Sequence, residues 1–329
     1  MSTTLQTGSR CRCAVIRCEN TAGWSWRRRE FSDFRSASRM KDMMTSPAHG
    51  RRRSPFFVKY CTVGTPTGIV PAIVYGPWQL QSIGNLQPGT LPSRVEGAAL
   101  WFAQLSDFRD GLSSIADIAL SPDELDRAQR MSAEPVRIAY LTSCVLLRRI
   151  LSAYLGVSPS DIALVRGEHG KPVLAHPERS PHLHFNLSHG GDAWLCGVSS
   201  TREIGVDVET RRQVPSADRL ATRVLSSAER AALSDLESTG DAMRDAAFLR
   251  CWTRKEAVLK ATGSGFSWAA RDIEVGIDTD FRCTPLPQKP GWEAGVWSLD
   301  LPAPGFAAAA VIGSGSFVQP VWTAARLTP

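Results

Sequence analysis

The feature that most constrains this chain is a change of apolar period, repeated several times after about Ala98. From Pro135 onward Ile138, Leu141, Val145, Leu147, Leu151 and Leu155 recur at helical spacing, and Gly156 suits the end of such a helix. Leu100, Phe102 and Leu105 open the region in a strand-like pattern, and strand-like segments follow near 162–165, 182–186, 194–198 and 204–208. Two capping boxes mark helix starts. In Ser121-Pro122-Asp123-Glu124 the serine caps, proline suits the first helical position and Glu124 reaches back; Ser226-Ser227-Ala228-Glu229 repeats the device. Residues 248–261 read as a helix ended by Gly263, and 273–277, 296–299 and 306–312 are again strand-like. Helices and strands mixed in this order predict an α+β fold rather than a regular βαβ succession.

Charge and cysteine divide the chain unequally. The net charge of +6 comes from the first 97 residues, which carry 14 Lys and Arg against 5 Asp and Glu, whereas residues 98–329 are slightly acidic. The basic balance therefore gives no reason to expect nucleic-acid binding by the folded body. Residues 1–97 show no sustained period; their basic clusters Arg27–Arg29 and Arg51–Arg53 and the Gly, Pro and Thr of 61–93 read as a low-order extension. No long apolar run or secretory pattern is present, so a soluble, cytoplasmic protein without membrane contact is expected. Cys144, Cys196, Cys251 and Cys283 sit in apolar segments and suit reduced core thiols. Cys11, Cys13 and Cys18 lack a second half at zinc-site spacing.

Three features carry chemistry. In Ile204-Gly205-Val206-Asp207-Val208-Glu209, strand alternation puts the aliphatic residues on one face and Gly205, Asp207 and Glu209 on the other. Neighbouring carboxylates suit a hard divalent ion such as Mg²⁺; taken alone, they also fit a solvated face beside Arg211 or Arg212. In Trp252-Thr253-Arg254-Lys255-Glu256-Ala257-Val258-Leu259-Lys260, Glu256 and Lys260 share a helix face with Phe248 and Trp252. That acid and amine fit a general base with a phosphate-binding cation, or a surface ion pair. Five of six histidines fall between His169 and His189, but a zinc reading of His182, His184 and His189 lacks nearby cysteines or a helix-borne pair. Residues 185–190 read instead as a strand entering a polar turn whose Ser188 and His189 face an anion.

Together these blocks resemble the longer class of 4′-phosphopantetheinyl transferases, the Sfp type. The resemblance rests on Gly205 to Glu209, a gap of 42 residues, and Trp252 to Lys260. His169-Gly170-Lys171-Pro172, Phe185-Asn186-Leu187-Ser188-His189 and Leu120-Ser121-Pro122-Asp123-Glu124 reinforce it. It implies two similar α+β halves with pseudo-twofold symmetry, 98–202 and 203–315, a tail of 316–329, and coenzyme A bound between the halves of a monomer. It also implies the reaction. The phosphopantetheine arm passes from coenzyme A to a serine of an acyl or peptidyl carrier protein domain of fatty-acid, polyketide or non-ribosomal peptide synthases, releasing adenosine 3′,5′-bisphosphate.

By that resemblance Asp207, Glu209 and Glu256 hold Mg²⁺, and Glu256 also serves as base toward the carrier serine. Lys260 and Lys255 neutralise the pyrophosphate. Ser188 and His189 contact coenzyme A phosphate, and Gly170, Lys171 and Pro172 form a turn against the adenine. Arg127, with Arg137 beside the departing Ile138, meets the 3′-phosphate, although Glu124 stands where some members carry a phosphate-binding lysine. Two rivals are weighed against transfer: a Mg²⁺-dependent pyrophosphate hydrolase acting on coenzyme A, and a non-catalytic module that binds carrier proteins. Phe266 and Trp268 are expected either at the carrier-docking surface or in the core.

Overall fold

The computed structural model describes residues 14–16, 58–65, 68–72, 79–82 and 86–326, less 93, 96, 113–118, 168–170, 177–182, 266–267, 302–303 and 319. The chain divides into two compact units, 1–77 and 78–329. In the first, β1 (Ala14–Ile16), β2 (Val58–Thr65) and β3 (Gly68–Ala72) form an antiparallel sheet in that order. Strands therefore occur where none is expected, while the arginine clusters and Cys11, Cys13 and Cys18 lie outside the described residues.

The second unit is built from two sheets and two long helices. One sheet has the order β4 (Gln79–Ser82), β14 (Val321–Arg326), β5 (Ala99–Gln104), β9 (Ala193–Ser199), β8 (His184–Gly190). The other has the order β10 (Ile204–Thr210), β13 (Gly305–Gly313), β12 (Glu293–Leu299), β11 (Arg282–Pro285). A small hairpin, β6 (Leu164–Arg166) with β7 (Pro172–Leu174), stands apart. The helices are α1 (Pro122–Gln129), α2 (Glu134–Leu155), α3 (Ala217–Val224), α4 (Ser227–Ser234) and α5 (Asp241–Thr262).

Strand alternation explains the layering. On β5, Trp101 and Ala103 pack with Leu146, Ile150 and Leu151 of α2, while Leu100 and Phe102 face a core shared with β10, β12 and β13. On β13, Ala308, Ala310 and Ile312 meet Phe248 and Val258 of α5, while Ala307, Ala309 and Val311 enter that shared core. The two sheets thus lie face to face with a helix outside each, and both faces of the central strands are apolar. Helix α2 is apolar enough by length and composition to cross a membrane. Its buried residues Leu146, Leu147, Ile150 and Leu151 instead line the core of the first half, and Val145 packs with Leu112, Ala119 and Leu120.

Both capping boxes form as predicted, and each does a second job. Glu124 Oε2 accepts from the Ser121 amide at 2.9 Å and from Arg148 Nε at 2.6 Å. Arg148 then donates to the carbonyls of Pro159 and Ile162, at 2.7 and 2.8 Å. In the second half Glu229 Oε2 accepts from the Ser226 amide at 2.8 Å and pairs with Lys255 Nζ at 2.7 Å. Lys255 donates to the carbonyls of Ala270, at 2.9 Å, and Ile273. Each half therefore fastens its short helix, its long helix and the turn after it through one acid, partly buried at Glu124 and buried at Glu229, and one buried cation.

Three boundaries differ from the sequence reading. Leu86 is buried, Leu91 and Val95 pack against the α2 core, and the amides of Gly89 and Leu91 donate to the Ser152 and Ala153 carbonyls. The body consequently begins near residue 78, not 98. The tail is no appendage, because β14 runs parallel between β4 and β5. Residues 273–277 are not a strand: the Val275 and Gly276 amides donate to Glu229 Oε1 at 2.8 and 3.1 Å instead of entering a ladder. Cys196 and Cys251 are buried as free thiols and Cys144 is partly buried, but Cys283 is exposed on the edge strand β11.

Candidate active site

The site forms where the two sheets meet and α5 crosses β10. The expected alternation holds: Ile204, Val206 and Val208 enter the shared core, and Gly205 faces α5. A Cβ at residue 205 would collide with the Ala257 carbonyl oxygen and the Ala261 amide nitrogen, so glycine alone lets helix and strand approach this closely. That approach lays the stripe of α5 formed by Trp252, Glu256 and Lys260, half-buried between buried neighbours, along β10.

Three polar side chains close into a ring. Lys260 Nζ donates to Asp207 Oδ1 at 2.6 Å and to Ser188 Oγ at 2.9 Å, and Ser188 Oγ donates to the same carboxylate oxygen at 2.9 Å. Asp207 is only 6 % exposed, and its other oxygen, Oδ2, is buried with no hydrogen-bond partner. A carboxylate oxygen in that condition is costly unless a cation or donor meets it. Glu256 lies within electrostatic reach. Burial raises its carboxyl above the ordinary value, Asp207 and Glu209 add to the rise, and Lys260 opposes it.

At the far end of the stripe, Glu209 accepts from Trp252 Nε1 at 3.3 Å through one oxygen and from Arg212 Nη2 at 3.1 Å through the other. From the first half, Lys171 Nζ donates to the Lys260 carbonyl at 3.3 Å, near the left-handed Gly263 that caps α5. Burial lowers the Lys171 pKa, against the attraction of Glu203 and with the repulsion of Lys260. Glu203 is paired with His184 Nδ1 at 3.1 Å.

Some of the expected residues converge here, and others do not. Asp207, Ser188 and Lys260 touch; Glu256 and Glu209 are coupled to them by charge. Among the described residues, no three His, Cys, Asp or Glu side chains are gathered to hold a metal ion. Lys260 sits on one oxygen of Asp207, and Trp252 and Arg212 occupy both oxygens of Glu209, so the expected ligand set is only partly assembled. The histidines form no such group either, and His182 lies outside the described residues.

Lys255 is a correction: it is fully buried and bound to Glu229, on the side of α5 away from the stripe. It cannot meet a pyrophosphate. The expected polar turn at 188–190 is strand instead: β8 continues through Gly190 and sets Ser188 and His189 on opposite sides. Ser188 is buried in the ring while His189 is exposed. Arg127 is exposed on α1, its guanidinium 5.4 Å from the Tyr140 ring centre, and Arg137 stands in the first turn of α2. Glu124 turns inward onto Arg148. Pro172 opens β7, and Gly170 and Phe266 lie outside the described residues. Trp268 packs against the second-half core. Asn186 and Glu203 were not singled out by the sequence reading, although a polar Asn186 between Phe185 and Leu187 within a strand is itself a signal of a buried partner.

Comparison with known proteins agrees with this architecture. Residues 203–309 match the model of the 4′-phosphopantetheinyl transferase superfamily, and residues 104–201 match that of the 4′-phosphopantetheinyl transferase N-terminal domain. The 4′-phosphopantetheinyl transferase HetI of Nostoc sp. is 34 % identical over 206 residues, 63 % of this chain and 84 % of the relative. The chain belongs to the 4′-phosphopantetheinyl transferases. This transferase is also similar to AcpT of Salmonella typhimurium, 38 % identical over 138 residues, 42 % of this chain and 65 % of the relative. Sfp of Bacillus subtilis is 29 % identical over 161 residues, 49 % and 68 % of the two chains. The two matched domains of the transferase adjoin at residue 202, between β9 and β10, so Ser188 comes from one and Asp207 and Lys260 from the other.

Proposed function

We propose that this transferase moves the 4′-phosphopantetheine arm of coenzyme A to the serine hydroxyl of an acyl or peptidyl carrier protein domain, as a monomer in the cytoplasm. The serine oxygen bonds to the β-phosphorus, the pyrophosphate oxygen bond breaks, the hydroxyl proton goes to Glu256, and adenosine 3′,5′-bisphosphate leaves. The observation that carries the reading is the Ser188–Asp207–Lys260 ring with Glu256 held above the ordinary carboxylate range beside it.

Each residue has work suited to its chemistry. An uplifted carboxyl is a better proton acceptor near neutral pH. The Lys260 ammonium and Ser188 hydroxyl face a site where negative charge gathers, and preorganised donors favour that charge without rearranging. Lys171 and Pro172, with Gly170, would line the adenine, and Arg127, Arg137 and His189 would meet the phosphates. Asp207, Glu209 and Glu256 would hold Mg²⁺; the orphaned Asp207 Oδ2 and the mutual repulsion that lifts Glu256 suit a divalent cation. When bound, the ion supplies positive charge to the diphosphate oxygens.

The test incubates the full chain with coenzyme A, Mg²⁺ and a panel of apo carrier domains from fatty-acid, polyketide and non-ribosomal peptide synthases, read by intact mass. A gain of one phosphopantetheine group on a carrier supports transfer. Coenzyme A cleaved at equal rate without any carrier identifies a hydrolase, and carriers bound but unmodified identify a non-catalytic module; either overturns the reading.

A further inference from the structure

The seam between the two sheets is held by side chains rather than by a backbone ladder. β8 ends one sheet order and β10 ends the other. Along β8, every second residue reaches across in step with the rising numbers of the opposite segment. His184 Nδ1 meets Glu203 at 3.1 Å, the Asn186 amide oxygen accepts from the Val206 amide at 2.8 Å, and Ser188 donates to Asp207 at 2.9 Å. At the end of the series a Cβ on Gly190 would lie 2.5 Å from the Val208 carbonyl oxygen, so there the backbones all but touch. The two edges run in the same direction and converge.

We propose that Asn186 is a positioning residue for the transfer reaction: by satisfying the edge amide of Val206 it fixes Ser188 of one half against Asp207 of the other. This inference rests on the transferase reading above and adds a residue that acts without touching substrate. Asn186 is 4 % exposed and Val206 fully buried, so neither group has water as an alternative partner. Val206 immediately precedes Asp207, and Asn186 is one strand period from Ser188. The hydrogen bond therefore sits one residue away from one end of the catalytic contact and two away from the other. Releasing it lets the seam widen where the strands have not yet converged. A shift of about 1 Å in a preorganised site is enough to cost about a hundredfold in rate.

The experiment compares wild type, Asn186→Leu, which has similar bulk but no acceptor, and Asn186→Asp, which keeps one. Carrier modification gives kcat and KM for coenzyme A, amide hydrogen exchange by NMR reads Val206, and thermal unfolding confirms the folded state. Expected for Asn186→Leu are Val206 exchange faster by about tenfold or more, kcat lower by about tenfold to a hundredfold, and KM changed by less than about threefold. Asn186→Asp recovers most of both losses. Wild-type kcat or wild-type Val206 protection in folded Asn186→Leu overturns the proposal, as does an Asp variant no better than Leu. Should Asn186→Leu not fold, Asn186→Ala carries the same comparison. If wild type modifies no carrier, the transferase reading fails separately, and an exchange rate at Val206 that is unchanged in the variant still refutes the seam.

Discussion

Replacing Lys255 by methionine tests whether that lysine belongs to the framework or to the phosphate site. Its side chain is fully buried, its ammonium lies 2.7 Å from Glu229 Oε2, and it also serves the carbonyls of Ala270 and Ile273. Removing one partner of a buried ion pair costs about 3–5 kcal/mol because the other charge stays behind. Here Glu229 keeps the amides of Ser226, Val275 and Gly276, which places that part near about 3 kcal/mol. Each carbonyl left without its donor adds about 1 kcal/mol, so Lys255→Met should lose about 4–5 kcal/mol of unfolding free energy. The Lys255→Met, Glu229→Gln double variant should recover about 1–2 kcal/mol, since contacting residues are not additive. Urea unfolding at neutral pH measures both, with the midpoint falling and the slope unchanged. In the fraction that remains folded, KM for coenzyme A should match wild type. A loss under about 1 kcal/mol, or a raised KM in a fully stable variant, would refute the burial argument.

Further outcomes follow from the same geometry. Burial tends to raise the Glu229 carboxyl, but Lys255 and the surrounding N–H donors outweigh it and hold it below its ordinary value. The pair's stabilisation is therefore complete above the ordinary carboxylate range and disappears as pH falls through the lower, folded value; acid titration of unfolding in wild type should show that loss, and Glu229→Gln should lack it. Glu256 is shifted the opposite way, by burial and then by Asp207, so without Mg²⁺ its carboxyl should take up a proton at higher pH than a free glutamate, read by carboxyl NMR titration. Glu256→Gln should lower kcat by about a hundredfold or more, measured by carrier mass shift. Lys260→Met should cost about a hundredfold to a thousandfold in kcat/KM without unfolding the chain. Gly205→Ala should destabilise by about 1–3 kcal/mol as α5 is pushed off β10, checked by thermal melting. With Glu124 turned onto Arg148, discrimination against dephospho-coenzyme A should be weaker than in Sfp; equal discrimination by competition assay would count against it.

Local signals in the sequence carried far. The capping boxes at Ser121 and Ser226 and the α2 and α5 ends at Gly156 and Gly263 depend on residues within one turn, and all appear as read. The i,i+4 spacing of Glu256 and Lys260 and the alternation of β10 likewise need no distant partner to be recognised. What stayed hidden depended on distant partners. Lys255 looks like part of a charged active-site run until Glu229, far back in the chain, is placed against it. Residues 273–277 carry strand-forming side chains, yet that same carboxylate takes the amides of Val275 and Gly276. Leu86, Leu91 and Val95 are anchors spaced irregularly along a loop, which no periodicity test detects.

The paired fastenings Glu124–Arg148 and Glu229–Lys255 bring α2 and α5 into common register, and that register exposes an asymmetry. Counting onward from each cation, Glu256 corresponds to Arg149 and Lys260 to Ala153. The same fastening plan is present twice, yet an acid and an amine follow the cation only on the later long helix, where the earlier one has Arg149 and Ala153. The earlier half instead sends Ser188 to the Asp207–Lys260 pair and Lys171 to the Lys260 carbonyl, so two copies of one scaffold deliver different parts to a single place.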